Sequence, residues 1–246
     1  MIEFYGNLGQ VDRHEFSWHA IISSKSTESF ALSVSSMTFN EEEVSLLLKA
    51  VQFSAETHKT QRRKGAEGSP YVNHPIAVAE TLWRVGGVRD LPVIIAAILH
   101  DTVEDTETTF ADIEEHFGPI VRSLVQEVSD DKSLAKLERK LLQIEHAPHL
   151  TKGAQQIKLA DKISNINDVA FVPPAHWPFE RRVDYLAWAE KVVSGLRGCN
   201  PRMEELFDET MTRARMRLEA ESPEKEAAMQ EISVVDQGEL TCEHPI

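Results

Sequence analysis

The chain has little that would tie it to nucleic acid, a membrane or an oxidising compartment. Of its 246 residues only two are cysteine, Cys199 and Cys242, and they lie far apart. That gives a disulfide framework nothing to build on and fits a reducing cytosol. The longest uninterrupted apolar stretch, Val93 to Leu99, falls far short of the ~20 residues a bilayer-spanning helix needs. The N-terminus, Met1-Ile2-Glu3-Phe4-Tyr5, lacks a basic region followed by an apolar one. We therefore read no signal peptide and expect a cytoplasmic protein. Aromatic residues make up only 7% of the chain, so aliphatic side chains must fill most of the core that a 41% hydrophobic content supports. Basic residues number 26 against 40 acidic ones, and the formal charge of -14 argues against non-specific binding to nucleic acid or anionic lipid. A small anionic substrate stays open, because the basic residues cluster: Arg62-Arg63-Lys64, Arg139-Lys140, Lys158 with Lys162, and Arg181-Arg182.

Signals for β-structure are equally scarce. No strand pairs with hairpin turns occur, and no repeat period. Helical periodicity begins at Asn40, a cap residue followed by Glu41, Glu42 and Glu43 at the positive end of the helix dipole. Val44, Leu47, Leu48, Val51 and Ala55 follow at helical spacing. A second helix runs from about Pro75 to the stop at Gly86-Gly87. Leu91 to Thr102 is read as one buried helix, because it runs into Asp-Thr-Val-Glu-Asp without a turn signal. Thr109 to Asp112 forms a capping box with Asp in place of Glu. Gly118 stops that helix, and Pro119 opens the next. Further helices are expected over Leu134–Ile144, Ala154–Ala170, Arg181–Leu196 and Pro201–Leu218, the last capped by Asn200. The fold expected is all-α: one helical domain over residues 39–218. A flexible N-terminal extension, 1–38, precedes it, with Met37 an alternative start. An acidic disordered tail, 219–246, follows.

The chemistry starts at His100-Asp101, which ends the apolar run from Leu91 to Leu99. Burying such groups unpaired is costly, and metal coordination is one standard solution. Neighbours on a helix point ~100° apart, so other segments must complete the ligand set. His74, beside Pro75, and Asp161 are candidates. Two His and two Asp form a mixed N/O set that suits Mn, Fe, Co, Ni or Zn better than Mg or Ca. Glu104 and Asp105 follow His100 and Asp101 by four residues and share their helix faces. A carboxylate there can orient or deprotonate a water on the metal. Asp161 has Asn165 one turn after it and Lys158 one turn before it, so one face offers ligand, amide and ammonium for phosphate or ribose.

Plainer readings stand beside these. Glu104 and Asp105 would merely face solvent if the helix ended at Thr102. His14, His19, His58, His116, His146, His149, His176 and His244 read as structural histidines. Arg62-Arg63-Lys64 alone would be a solvated turn. Trp83, Trp177 and Trp188 would be core or rim residues, Tyr71 a packing residue, and Lys158 and Lys162 solvated helix positions.

Taken in order, Gln61-Arg-Arg-Lys64, Gly68 to Pro75, Ala97 to Asp105, Val128 to Lys132, Leu137 to Lys140 and Lys158 to Asn165 resemble the hydrolase half of the RelA/SpoT family, within the HD phosphohydrolases. The resemblance is greatest to stand-alone small alarmone hydrolases of the metazoan SpoT-homologue kind. It implies an all-helical HD domain holding one Mn2+, with Fe, Co or Zn also compatible. His74, His100, Asp101 and Asp161 would be the metal ligands, and Glu104 and Asp105 the acidic pair that handles the attacking water. Arg63 and Lys64 would lie near guanine or phosphates, Asn165 near ribose, and Arg182 and Tyr185 at further substrate contacts, with Lys158 beside them. The implied reaction removes the 3′-pyrophosphate of ppGpp or pppGpp. The same site could instead remove the 2′-phosphate of NADPH, or bind nucleotide without turnover.

Overall fold

The computed structural model describes residues 39–65 and 67–222; the extension 1–38 and residues 223–246 of the tail lie outside them. The described residues contain nine α-helices: α1 Glu41–Thr57, α2 Asn73–Arg84, α3 Leu91–Leu99, α4 Thr102–Asp105, α5 Phe110–Val128, α6 Lys136–His146, α7 Lys152–Phe171, α8 Phe179–Ser194 and α9 Pro201–Ala220. Among them no strand forms; two isolated bridges, Arg62 to Pro70 and Gly65 to Pro174, pin the loop after α1. The all-α expectation holds.

α7 is the axis. It packs against α2, α3, α5, α8 and α9, and buries a nearly continuous run from Gln156 to Ile163. α3 is buried all round except at Pro92, as its unbroken aliphatic sequence requires. Leu82, Ile95, Leu99, Ile157, Leu159 and Ile166 are fully buried, each worth ~1.5–3 kcal/mol of transfer free energy.

Helix ends follow local chemistry. Thr109 Oγ1 accepts from Asp112 N at 3.2 Å while Asp112 Oδ2 accepts from Thr109 N at 2.8 Å, completing the capping box with Asp. Gly118 breaks α5 internally at φ +84°, a conformation open to glycine, and Pro119 restarts it. Asn200 Oδ1 accepts from Met203 N at 3.3 Å, and its amide donates to Gly86 O at 2.9 Å, tying the start of α9 to the end of α2. A Cβ on Gly86 would stand 2.7 Å from the Leu82 carbonyl oxygen and 2.6 Å from Met203 Sδ, and the backbone oxygen cannot give way, so this position needs glycine.

One expectation is corrected. Leu91 to Thr102 is not a single helix: α3 ends at Leu99, and α4 begins at Thr102 with Asp101 as its N-cap. The turn keeps helical hand, with Asp105 N bonded to Asp101 O at 2.8 Å. The break falls on His100 and Asp101, the two adjacent candidate ligands.

Candidate metal centre and active-site cleft

Three helical regions bring the ligand candidates together. His74 sits in the first turn of α2, His100 and Asp101 on the α3–α4 turn, and Asp161 mid-way along α7. Single donor atoms of His74, His100 and Asp101 lie within 4.8 Å of one another. His74 Nε2 stands 3.2 Å from Asp161 Oδ1 and 3.7 Å from Asp101 Oδ2. His100 Nε2 stands 3.2 Å from Asp101 Oδ2 and 3.8 Å from Asp161 Oδ1. Ligands each ~2.1 Å from a shared ion are about 3.0–3.4 Å apart at angles between square and tetrahedral; the two 3.2 Å spacings fall in that range, and the 3.7 and 3.8 Å spacings lie a few tenths of an ångström beyond it.

The imidazole tautomers point the same way. His100 Nδ1 donates to Ala97 O at 2.8 Å, which leaves Nε2 as a bare lone pair. That Nε2 is buried and has no hydrogen-bond partner, while carboxylate oxygens face it. His74 Nδ1 pairs with Ser164 Oγ at 3.1 Å, again turning Nε2 inward. A second partner on the outer nitrogen is the usual support of a metal-bound imidazole. Lone pairs gathered around a common centre repel unless a cation occupies it, so the residues present fit a divalent ion.

Without an ion, a proton takes its place. Burial alone would lower the His100 pKa, but the Asp101 and Asp161 carboxylates push it up to about 10. Burial keeps His74 below its ordinary value. Asp161 is held well below the usual carboxylate range: burial opposes ionisation, and Lys162 with the two imidazoles overcomes it.

The surrounding groups aim these ligands. Lys162 Nζ holds Asp161 Oδ2 at 2.8 Å, leaving Oδ1 to the centre, and stacks 4.9 Å from the Trp188 ring. Asn165 Nδ2 donates to Asp161 Oδ1 at 2.5 Å. Tyr71 OH donates to Asp101 Oδ2 at 2.7 Å and lies 3.2 Å from Asp105 Oδ2. Burial, followed by those carboxylates, raises the phenol pKa and keeps it a donor. Tyr71 is thus part of the site rather than the packing residue its sequence context suggests.

Glu104 and Asp105 do not point freely to solvent. Glu104 Oε2 accepts from Asp130 N at 3.1 Å, with Lys132 and Arg139 at 3.6 and 3.8 Å from Oε1. Asp105 Oδ1 accepts from Lys132 Nζ at 2.6 Å. The small cavity over the ligands, about 170 Å³, is also lined by Lys158 and Asn165. Lys158 Nζ donates to Val128 O at 2.9 Å. A larger cavity of about 570 Å³ adjoins it and shares Tyr71, Glu104, Asp105 and Asn165 with it; Arg63, Lys64 and Tyr185 line its far part.

The remaining residues divide. Arg63 spans to Asp168 Oδ2 through Nε at 3.0 Å and to Asn165 Oδ1 at 2.9 Å. Arg182 is elsewhere: it is buried, donates to Val169 O and Ala170 O at the end of α7, and pairs with Glu221 at 2.6 Å. It lines neither cavity. Its neighbour Arg181 lies instead 4.1 Å over the ring of the cavity-lining Trp177. The one-residue difference follows from where α8 starts: the unsatisfied carbonyls ending α7 draw Arg182 inward. Sequence reasoning also missed Asp168. The signal was there, since Asp161, Asn165 and Asp168 recur at i, i+4 and i+7 along one face.

Comparison with known proteins places the chain in a family. The HD-domain family profile matches residues 50–184. The chain belongs to the HD-domain family, in its SpoT-like branch. Guanosine-3′,5′-bis(diphosphate) 3′-pyrophosphohydrolase MESH1 of Xenopus tropicalis is 52% identical over 166 residues, covering 68% of this chain and 93% of that one. The human MESH1 of the same description is 52% identical over 163 residues, 66% of this chain and 91% of the human one. A solved structure of a metazoan ortholog of SpoT that hydrolyzes ppGpp superposes with a TM-score of 0.69 at 45% identity, covering 72% of this chain and 98% of that one. The HD-domain assignment carries with it a divalent metal site, and the His-His-Asp cluster is where this chain offers one.

Proposed function

We propose that this chain is a guanosine-3′,5′-bis(diphosphate) 3′-pyrophosphohydrolase, converting ppGpp or pppGpp to GDP or GTP and pyrophosphate. The observation that carries the reading is the unpartnered, buried His100 Nε2, aimed with His74 Nε2 at two carboxylates. Relatives 52% identical to this chain are named for this reaction.

His74, His100, Asp101 and Asp161 would hold one divalent cation. Mn2+ is the ion we propose; Fe, Co and Zn suit the same donors. Such a cation supplies Lewis acidity, acidifying water and withdrawing charge from phosphoryl oxygens. The chain's own residues do the rest. Glu104 and Asp105 line both cavities and would orient the attacking water and accept its proton. The bond from phosphorus to ribose O3′ is replaced by one from phosphorus to the water oxygen, and O3′ leaves with a proton. Lys158 faces the small cavity and would neutralise pyrophosphate charge. Asn165 would meet the ribose. Arg63, Lys64 and Tyr185 line the large cavity and would hold guanine and the 5′ phosphates, with Arg181 over the Trp177 ring. These cations let a chain of formal charge -14 accept a polyanion.

Purified protein loaded with Mn2+ and given ppGpp and NADPH separately tests the reading. Pyrophosphate release from ppGpp is expected. Phosphate release from NADPH with none from ppGpp overturns it, as does ppGpp binding without turnover.

A further inference from the structure

His58 lies at the end of α1, is 2% exposed, and lines neither cavity. Two arms leave it, and both end on Asp105. The first runs through an amide: His58 Nδ1 is 2.7 Å from Gln61 Oε1, and Gln61 Nε2 donates to the Asp105 carbonyl at 2.5 Å. The direction of this arm is fixed. A carbonyl oxygen only accepts, so Gln61 must present its NH2 to Asp105 and its oxygen to His58; His58 Nδ1 must then be the donor. The second arm is a ring: His58 packs at 4.8 Å against Tyr71, whose hydroxyl bonds Asp101 and reaches Asp105 Oδ2 at 3.2 Å. One arm holds the main chain where α4 ends; the other holds the carboxylate.

We propose that His58 is a positioning residue for this reaction: through Gln61 and Tyr71 it fixes both the backbone and the side chain of Asp105. The proposal rests on the functional reading above. His58 lines neither cavity, and its partners are Gln61 and Tyr71 rather than any of the four candidate ligands; it acts by removing freedom from the turn that carries the acidic pair. A packing histidine would need neither a directed amide bond nor a shared end point. A group that must sit within a fraction of an ångström of a water benefits from both.

Two variants separate the arms. His58→Phe keeps a ring against Tyr71 and loses the Nδ1 donor. His58→Asn loses the ring and keeps a donor, since its amide nitrogen takes the place of Nδ1. For His58→Phe we expect kcat to fall about tenfold, the effect of losing one well-placed hydrogen bond, with KM and bound Mn2+ unchanged. Amide hydrogen exchange over residues 102–106 should quicken in the same variant, with or without substrate. His58→Asn should recover most of the exchange protection and part of kcat. If His58→Phe folds poorly, Gln61→Met, whose side chain also lines the large cavity, should reproduce the quickened exchange over residues 102–106, and combining the two should add little to the exchange seen in Gln61→Met alone. Wild-type kcat and wild-type exchange in His58→Phe overturn the proposal, as does a loss explained by KM or by missing Mn2+. Should the unsubstituted protein leave ppGpp intact, the functional reading fails, and the exchange measurement still decides the positioning role.

Discussion

Arg63, in the loop after α1, and Asp168, 105 residues later on α7, are joined side by side: both Nε and a terminal nitrogen of the guanidinium meet Asp168 Oδ2. The plane of Arg63 is thereby set before any ligand arrives, and the Tyr71 ring lies 5.5 Å beneath it.

Removing that anchor should weaken binding more than turnover. Asp168→Ala leaves Arg63 its single bond to Asn165. We expect KM for ppGpp to rise about tenfold, equivalent to ~1.4 kcal/mol, with kcat within about threefold. Steady-state kinetics check this; a kcat loss at constant KM contradicts it.

Ligand and acid should separate cleanly. Asp101→Ala and Asp161→Ala should lose both bound metal and activity, read by elemental analysis and product assay. Glu104→Ala should retain the metal and lose about 10²–10⁴-fold in turnover, the range for a general base. Full activity of either ligand variant after chelation would contradict the assignment.

Metal loading should expel a proton. In stripped protein the His100 pKa, lowered by burial but raised more by Asp101 and Asp161, stands at about 10, above its unfolded value of about 6.5. Its contribution to stability in that state is therefore complete below about pH 6.5 and disappears as pH rises through about 10. At neutral pH an incoming cation displaces that proton, so apparent Mn2+ affinity should weaken as pH falls. Calorimetry in buffers of different ionisation enthalpy measures the protons released; none released would refute the ligand role of His100.

Tyr71→Phe removes a donor from Asp101 and from Asp105 while keeping the ring against His58. A drop in kcat of about tenfold is expected, from one charge-assisted hydrogen bond of ~1.5–3 kcal/mol only partly replaced by water. Weaker Mn2+ retention should accompany it. Unaltered kcat and retention would show that the hydroxyl is idle.

Away from the site, Asn200→Ala should lower stability by ~1–2 kcal/mol, the usual cost of a lost N-cap. It also strips Gly86 O of its donor. Denaturant unfolding reads the change, and unaltered ppGpp turnover under native conditions should accompany it.

Much of this molecule can be read from its sequence, for physical reasons. Thr109, Asn200 and Pro201 announce helix starts because orphan N–H groups need those side chains nearby. His100 and Asp101 announce a site because charge and apolar burial conflict in one stretch. What stays hidden depends on contacts between distant segments. Nothing local tells that Gln61 reaches Asp105, or that Glu104 receives the backbone N–H of Asp130. Arg181 and Arg182 are equivalent on paper; only the carbonyls ending α7 decide which turns inward.

The turn bearing His100 and Asp101 is the direct extension of α3, the most completely enclosed rod in the domain. Chelation therefore strikes the interior and not a peripheral clip. Stripping the ion should make the whole domain melt earlier in one cooperative transition, with no separate early phase in which the active site alone comes apart.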